Sequence, residues 1–239
     1  MTEVAPRIRR IGPEIVNSYL VEAEGSVVIV DAGVPRYWGQ LVTELAAMGR
    51  TFDDVRAVLL THAHPDHIGF AERARRAGVG VRIHELDAAL ARGEAPNNVK
   101  ITGPYGVRAV VGFVAFGLRQ GLLRVPKVRE VLAFEDGAVL DVPGSPRVIH
   151  APGHTAGMSV LHFPAHDALF VGDALNTYAV TNGRRGPQLS PFNADRAQAL
   201  ASLSRFEDVA AGLVLPGHGA PWRDGTRSAV EAARGASAP

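Results

Sequence analysis

Two rhythms of apolar residues run through the first third of this chain. Residues 15–21 and 27–30 are dense apolar runs around a turn at Glu24-Gly25, and they predict the two strands of a hairpin. Residues 57–60 and 79–83 read as further buried strands, too short and too uniformly apolar to be helices. Between them the spacing changes. Trp38, Leu41, Leu45 and Met48 recur at helical intervals within 37–48, with Gly49 as the stop, which assigns Trp38 to the core. Residues 66–77 suit a helix ending at Gly78, and 85–91 a short one.

Residues 93–127 interrupt this alternation. The segment 93–104 is polar and turn-rich, and 105–119 is almost wholly apolar apart from Arg108 and Arg119. That stretch is far shorter than the roughly 20 residues a bilayer crossing needs, so no transmembrane segment is predicted. It reads as a helix with apolar residues on more than one side, though its glycines weaken helix formation. Three roles fit: core packing, a cap over a site or a homodimer contact, and a membrane-surface element. As a cap, Phe113, Phe116 and Leu118 would favour an apolar portion of a substrate.

The second half returns to strands, at 130–134, 138–142, 147–150, 159–163 and 168–171, separated by Gly, Pro and Asp turns. A helix at 193–206, a strand at 213–215 and a helix at 226–234 complete the pattern. Two sheets packed face to face with helices outside unite these signals as an α/β sandwich. No repeat and no long flexible linker divides the chain, so 1–239 is expected to be one domain carrying an insertion at 93–127.

Composition narrows the function classes. The 239 residues carry a formal charge of +1, and 46% are hydrophobic. Basic residues are interspersed with acids and make no sustained stripe, which argues against a nucleic-acid partner. There is no cysteine, hence no disulfide scaffold and no thiolate-bound zinc. The first residues lack the basic-then-apolar order of a secretory signal, so a cytoplasmic location is the expectation.

The chemistry gathers in 61–69, Thr-His-Ala-His-Pro-Asp-His-Ile-Gly, directly after the strand-like run 57–60. His62 and His64 are two apart and point the same way if strand geometry persists. Pro65 then favours a turn, which would send Asp66 and His67 elsewhere. One pair can serve one metal and the second pair another. Three more candidates share one pattern, an apolar strand, a glycine and then a ligand type: His154 after Gly153, Asp173 after Gly172, and His218 after Gly217. Asp31, at the end of the strand-like run 27–30, could steady a ligand imidazole from behind or simply form a turn. His84, after the run 79–83, is a weaker candidate for the pocket.

The set Thr61-His62-Ala63-His64-Pro65-Asp66-His67, Gly153-His154, Gly172-Asp173 and Gly217-His218 resembles the metallo-β-lactamase superfamily over nearly the whole chain. The resemblance implies a four-layer αβ/βα sandwich of two mixed sheets with outer helices and metals at one edge. It implies that His62, His64 and His154 hold one ion, that Asp66, His67 and His218 hold the other, and that Asp173 bridges them. Two divalent ions clamping a hydroxide is a known route to hydrolysis. Imidazole and carboxylate ligands suit zinc, with iron or manganese as alternatives.

The resemblance implies a small-molecule substrate with an ester-like carbonyl, a lactone or thioester. A glutathione thioester is disfavoured, because only 21 residues follow His218. The rivals are a phosphodiesterase, a sulfur dioxygenase-like oxidoreductase with a single iron, and a non-catalytic metal binder. Asp66 is the expected catalytic group that orients the nucleophile or carries its proton, and Tyr178, five residues after Asp173, is a candidate donor to the substrate carbonyl. Arg184 and Arg185 could bind an anionic group or be solvated.

Overall fold

The structure, a computed structural model, describes residues 2–237. The chain begins with strands β1 (Thr2–Ala5), β2 (Ile8–Ile11), β3 (Ser18–Ala23) and β4 (Ser26–Val30). Helix α1 (Tyr37–Ala47), strand β5 (Val55–Leu59), helix α2 (Ala71–Arg76), strand β6 (Gly80–His84) and helix α3 (Glu85–Arg92) follow. Then come β7 (Lys100–Ile101), helix α4 (Val107–Gln120), β8 (Leu132–Phe134), β9 (Arg147–His150), β10 (Ser159–Phe163) and β11 (Ala168–Gly172). The rest is β12 (Asn176–Tyr178), β13 (Arg185–Gln188), β14 (Phe192–Asn193), helix α5 (Arg196–Ser202), β15 (Leu213–Pro216) and helix α6 (Gly225–Ser237).

Seven strands form one sheet in the order β1-β2-β3-β4-β5-β6-β8, antiparallel up to β4 and parallel beyond it. Four form a second sheet, β15-β11-β10-β9. Side-chain alternation explains the layering. Tyr19, Val21, Val28, Val30, Ala57 and Leu59 join a central cluster with Leu161, Phe163, Phe170, Leu213 and Leu215 of the second sheet. Their strand neighbours Leu20, Val27, Ile29 and Val58 instead meet Tyr37, Leu41 and Leu45 of α1 and Ala71 and Ala74 of α2. On the far side Val160, Leu169, Val171 and Val214 meet Ala199 of α5 and Ala229, Val230 and Ala233 of α6. The strands are buried on both faces, so they read as continuous apolar runs. The result is the expected four-layer α/β sandwich.

Several boundaries differ from expectation. The helix predicted at 66–77 starts only at Ala71, because the preceding turn is recruited elsewhere. Gly69 N–H and Phe70 N–H donate to Gly33 O and Ala32 O, laying the segment against the loop after β4. Only glycine fits at 69, since a Cβ would collide with the backbone of Gly33 and Val34. The strand predicted at 138–142 shrinks to one bridge, Val139 to Arg147. The helix predicted from 193 begins at Arg196, since Phe192 and Asn193 pair with β7 and Asp195 caps the helix by accepting from Gln198 N–H. Strands β1 and β2 had no alternating signature: in β2, Ile-Arg-Arg-Ile, only the two ends are buried.

One consequence of topology positions the site. Strand β10 runs antiparallel to both β9 and β11, and β15 runs parallel to β11, so β9, β11 and β15 all point the same way. Their C-terminal ends open on one edge, where β4 and β5 also end. Loops that leave such an edge are held by a rigid sheet while their side chains stay free to do chemistry.

Candidate metal centre

Each loop delivers its side chains after a strand has ended. Beyond β5, residues 60–70 form an irregular turn in which His67 N–H and Ile68 N–H both donate to His64 O. His62 and His64 therefore lie outside regular strand, yet their rings pack edge to face with centroids 4.7 Å apart. His154 follows β9, Asp173 follows β11 and His218 follows β15. Gly217 must lack a side chain, because a Cβ there would run into Asp173 and His67.

The seven candidates meet in three overlapping groups whose donor atoms lie within 4.8 Å of one another: His62, His64 and His154; Asp66, His67 and His218; and His62, His67 and Asp173. Asp173 lies between the first two, with Oδ2 3.5 Å from His154 Nε2 and 3.3 Å from His218 Nε2, and Oδ1 3.6 Å from His67 Nε2. Six of the seven are buried, and Asp66 is the partly exposed one, its side chain 16% accessible.

The surroundings decide which ring nitrogen carries a proton. His154 Nδ1 donates to Phe192 O, and His218 Nδ1 donates to Ile15 O. His67 Nδ1 donates to Asp31 Oδ2 at 2.9 Å. Thr61 Oγ1 gives its proton to Asp31, so it can only accept from His62 Nδ1, 3.0 Å away. His64 Nε2 donates to Asn97 Oδ1 at 3.1 Å. Every neutral imidazole thus keeps its proton on the outside and turns a lone pair inward. His154 Nε2 faces His62 Nε2 at 3.1 Å and His64 Nδ1 at 2.8 Å, while His67 Nε2 is buried with no hydrogen-bond partner. Lone pairs this close repel unless a cation lies among them, so the donor set fits metal ions.

Electrostatics divides the imidazoles. Burial and the neighbouring histidines hold His62 well below its usual pKa, and burial with His64 brings His154 down to about 3. Burial also lowers His64. For His67 burial pulls the same way, but Asp31, Asp66 and Asp173 outweigh it and raise the group to about 10. Burial opposes Asp173 ionisation, yet His218 and His154 keep it ionised far below the usual carboxylate range.

Some participants carry no sequence signal. Asn97 sits in the turn-rich segment 93–104, and Ser190, which donates to Asp173 Oδ2 at 3.3 Å, follows the short strand β13. Asp87 of α3 is buried and accepts from Ala63 N–H, Thr155 Oγ1 and Gly157 N–H, tying the His62–His64 turn to the His154 loop. Asp31 is where its strand-end position suggested, against a candidate imidazole.

Five of the seven, His64, Asp66, His154, Asp173 and His218, line a hollow of about 280 Å³ whose walls include Pro65, Asn97, Val99, Phe113, Leu122 and Phe192. Tyr178 is not among the lining residues. It faces an adjoining hollow with Ile15, Arg108 and Asn182, which shares only Phe113 with the first. Arg185 pairs with Glu14 at 2.6 Å and lies over the Tyr178 ring, and Arg184 bonds Ala236 O, and neither lines the hollow of the candidate ligands. Phe113 faces that hollow and Phe116 packs on the core, whereas Leu118 is exposed. His84 accepts from Leu86 N–H at the start of α3 and stacks on His150, away from the hollow.

A family model described as the metallo-beta-lactamase superfamily matches residues 11–218. Acyl-coenzyme A thioesterase MBLAC2 of Bos taurus is 30% identical over 213 residues, 84% of this chain and 72% of that protein. The probable metallo-hydrolase YybB of Bacillus subtilis is 24% identical over 209 residues, 85% of this chain and 80% of that protein. Among solved structures, a metallo-beta-lactamase family protein of Thermus thermophilus superimposes with a TM-score of 0.69 at 27% identity, covering 96% of this chain and 78% of that one. The protein TTHA1623, in a di-iron-bound form, gives a TM-score of 0.63 at 28% identity, covering 90% and 93%.

Proposed function

Because the chain belongs to the metallo-beta-lactamase superfamily, we propose that it is a dinuclear metal-dependent hydrolase of ester-like carbonyl substrates, with thioesters ahead of lactones. The observation that carries this reading is the set of five imidazoles whose outer nitrogens are all engaged, leaving the other nitrogen of each turned inward around Asp173. His62, His64 and His154 would hold one ion, Asp66, His67 and His218 the other, and Asp173 would touch both. Two divalent ions held there would bring a shared water toward neutral pKa and polarise the substrate carbonyl.

The chain's own groups supply the rest. Asp66, the one candidate ligand whose side chain is partly exposed, would accept a proton from the attacking water and pass it to the leaving group. Asp31, Thr61, Asn97 and Phe192 O fix the imidazole orientations, so little rearrangement accompanies reaction. Phe113, Leu122 and Phe192 give the hollow apolar walls suited to an acyl portion. Thioesters lead because a relative 30% identical over most of both chains is an acyl-coenzyme A thioesterase. The di-iron form of a 28% identical protein keeps iron beside zinc and manganese as candidates.

The test is a panel of an acyl thioester, a lactone and a phosphodiester, assayed with protein reconstituted in zinc, manganese or ferrous iron. Metal-dependent cleavage of the thioester or lactone, lost on Asp66→Asn and Asp173→Ala, is the expected result. Cleavage of the phosphodiester alone, or oxygen-dependent turnover of a thiol, would overturn the proposal.

A further inference from the structure

Helix α4 has two apolar faces, and only one of them is used. Phe113 and Phe116 pack inward, Phe113 onto the hollow of the metal ligands. Val107, Val111, Val114 and Leu118 recur at the spacing of a single helical stripe on another side. They are 76%, 60%, 53% and 55% exposed, and the stripe is extended at its ends by Tyr105 at 74% and Leu123 at 79%. A continuous exposed apolar stripe of this kind marks a contact surface rather than ordinary solvated helix.

Charge selects the occupant. The segment between Glu94 and Glu130 departs from the mixed charge of the rest of the chain: it has no acidic residue but six cations, Lys100, Arg108, Arg119, Arg124, Lys127 and Arg129. All six are exposed, and none forms an ion pair among the described residues. Arg108 and Arg119 are eleven positions apart and so flank the stripe on the same side of the helix. A second copy meeting this face about a two-fold axis would bring the same cations against one another. An anionic bilayer would instead take the valines, Leu118 and Leu123 into its acyl boundary, Tyr105 at its headgroup level and Arg108 and Arg119 of the helix against its phosphates.

We propose that the outer face of α4 is a membrane-surface docking element for anionic lipid. The docking does not depend on the hydrolase reading. One consequence does rest on it: Phe113 reaches the metal hollow from the same helix, so a docked bilayer would lie about one helix diameter, roughly 10 Å, from that hollow. That arrangement suits a substrate whose acyl chain partitions into lipid.

The test is co-sedimentation of the whole chain with vesicles of phosphatidylcholine alone and of phosphatidylcholine with about 30% phosphatidylserine. Binding to the mixed vesicles is expected, at least about tenfold weaker to the neutral ones and weakened by high salt. Val111→Asp with Leu118→Asp, and separately Arg108→Glu with Arg119→Glu, should each lower binding about tenfold while leaving the circular-dichroism melt unchanged. Wild-type protein remaining in the supernatant with anionic vesicles would overturn the proposal. So would charge-reversed protein that binds as well as wild type. A dimer in light scattering that Val111→Asp with Leu118→Asp converts to monomer would overturn it too, by assigning the face to a second copy.

Discussion

At the scale of single residues, the proton on His67 carries the most testable consequence of the site. In the metal-free protein the three carboxylates outweigh burial and hold this imidazole near 10, and His218 is also raised, by Asp173 and Asp66 against burial. His62, His64 and His154 are lowered instead, chiefly by burial. A metal needs the lone pair that the His67 proton occupies, so affinity should fall as pH drops below about 10 and rise toward it. Titrating metal-free protein with zinc in weak buffer near pH 7 should release at least about one proton per chain, from His67. Zinc uptake without proton release would contradict this arrangement. The seven clustered side chains were legible because their types and spacings are rare together and each follows an apolar strand. Asn97, Ser190 and Asp87 were not, since a single polar residue in a loop or on a short helix has no pattern to betray a contact made 17 to 70 positions away. Tyr178 shows the reverse: a sequence offset from Asp173 did not reveal that the β12–β13 hairpin turns the ring into the neighbouring hollow.

At the scale of elements, α3 acts through Asp87. Removing this buried carboxylate by Asp87→Ala leaves Ala63 N–H and Gly157 N–H without acceptors and frees the two ligand-bearing loops from each other. A loss of about 2–4 kcal/mol in urea unfolding is expected, with weakened zinc binding measured on the same protein. A stability change within about 0.5 kcal/mol would show that the loops hold themselves. Helix α2 is fixed by Glu72, whose buried carboxylate accepts from Arg75, Arg76 and Arg129 N–H. Chiefly the Arg75 hydrogen bond, against the cost of burial, holds its pKa down from 4.5 to about 2. A depressed carboxylate contributes stability that is complete above its unfolded value and lost as pH falls through the folded one. Glu72→Gln should therefore cost about 1–3 kcal/mol near neutrality, and the gap to wild type should close between pH 4.5 and about 2 in urea melts. The long elements were readable from period alone. Helix α2 was over-extended because the 66–70 segment is helical by composition but is tied by backbone hydrogen bonds to the loop after β4.

At the scale of the whole molecule, the two rhythms of the sequence translate directly into layers. Strands apolar on both faces made the two central sheets, and helices apolar on one side made the outer layers. The N-terminal hairpin β1–β2 and the small pairs β7–β14 and β12–β13 escaped, because strands of two to four residues at a sheet edge carry too few buried positions to set a period. The layered frame matters because it aligns the ends of β5, β9, β11 and β15, so that candidate ligands distant in sequence converge on Asp173. The most direct test of that convergence is the metal-to-protein ratio, by elemental analysis of chain reconstituted with zinc, manganese or ferrous iron and freed of excess ion. Two ligand groups sharing Asp173 predict about two ions per chain, falling to about one in His218→Ala and toward none in Asp173→Ala. A folded wild-type chain that holds one ion or none with every metal would contradict the dinuclear centre.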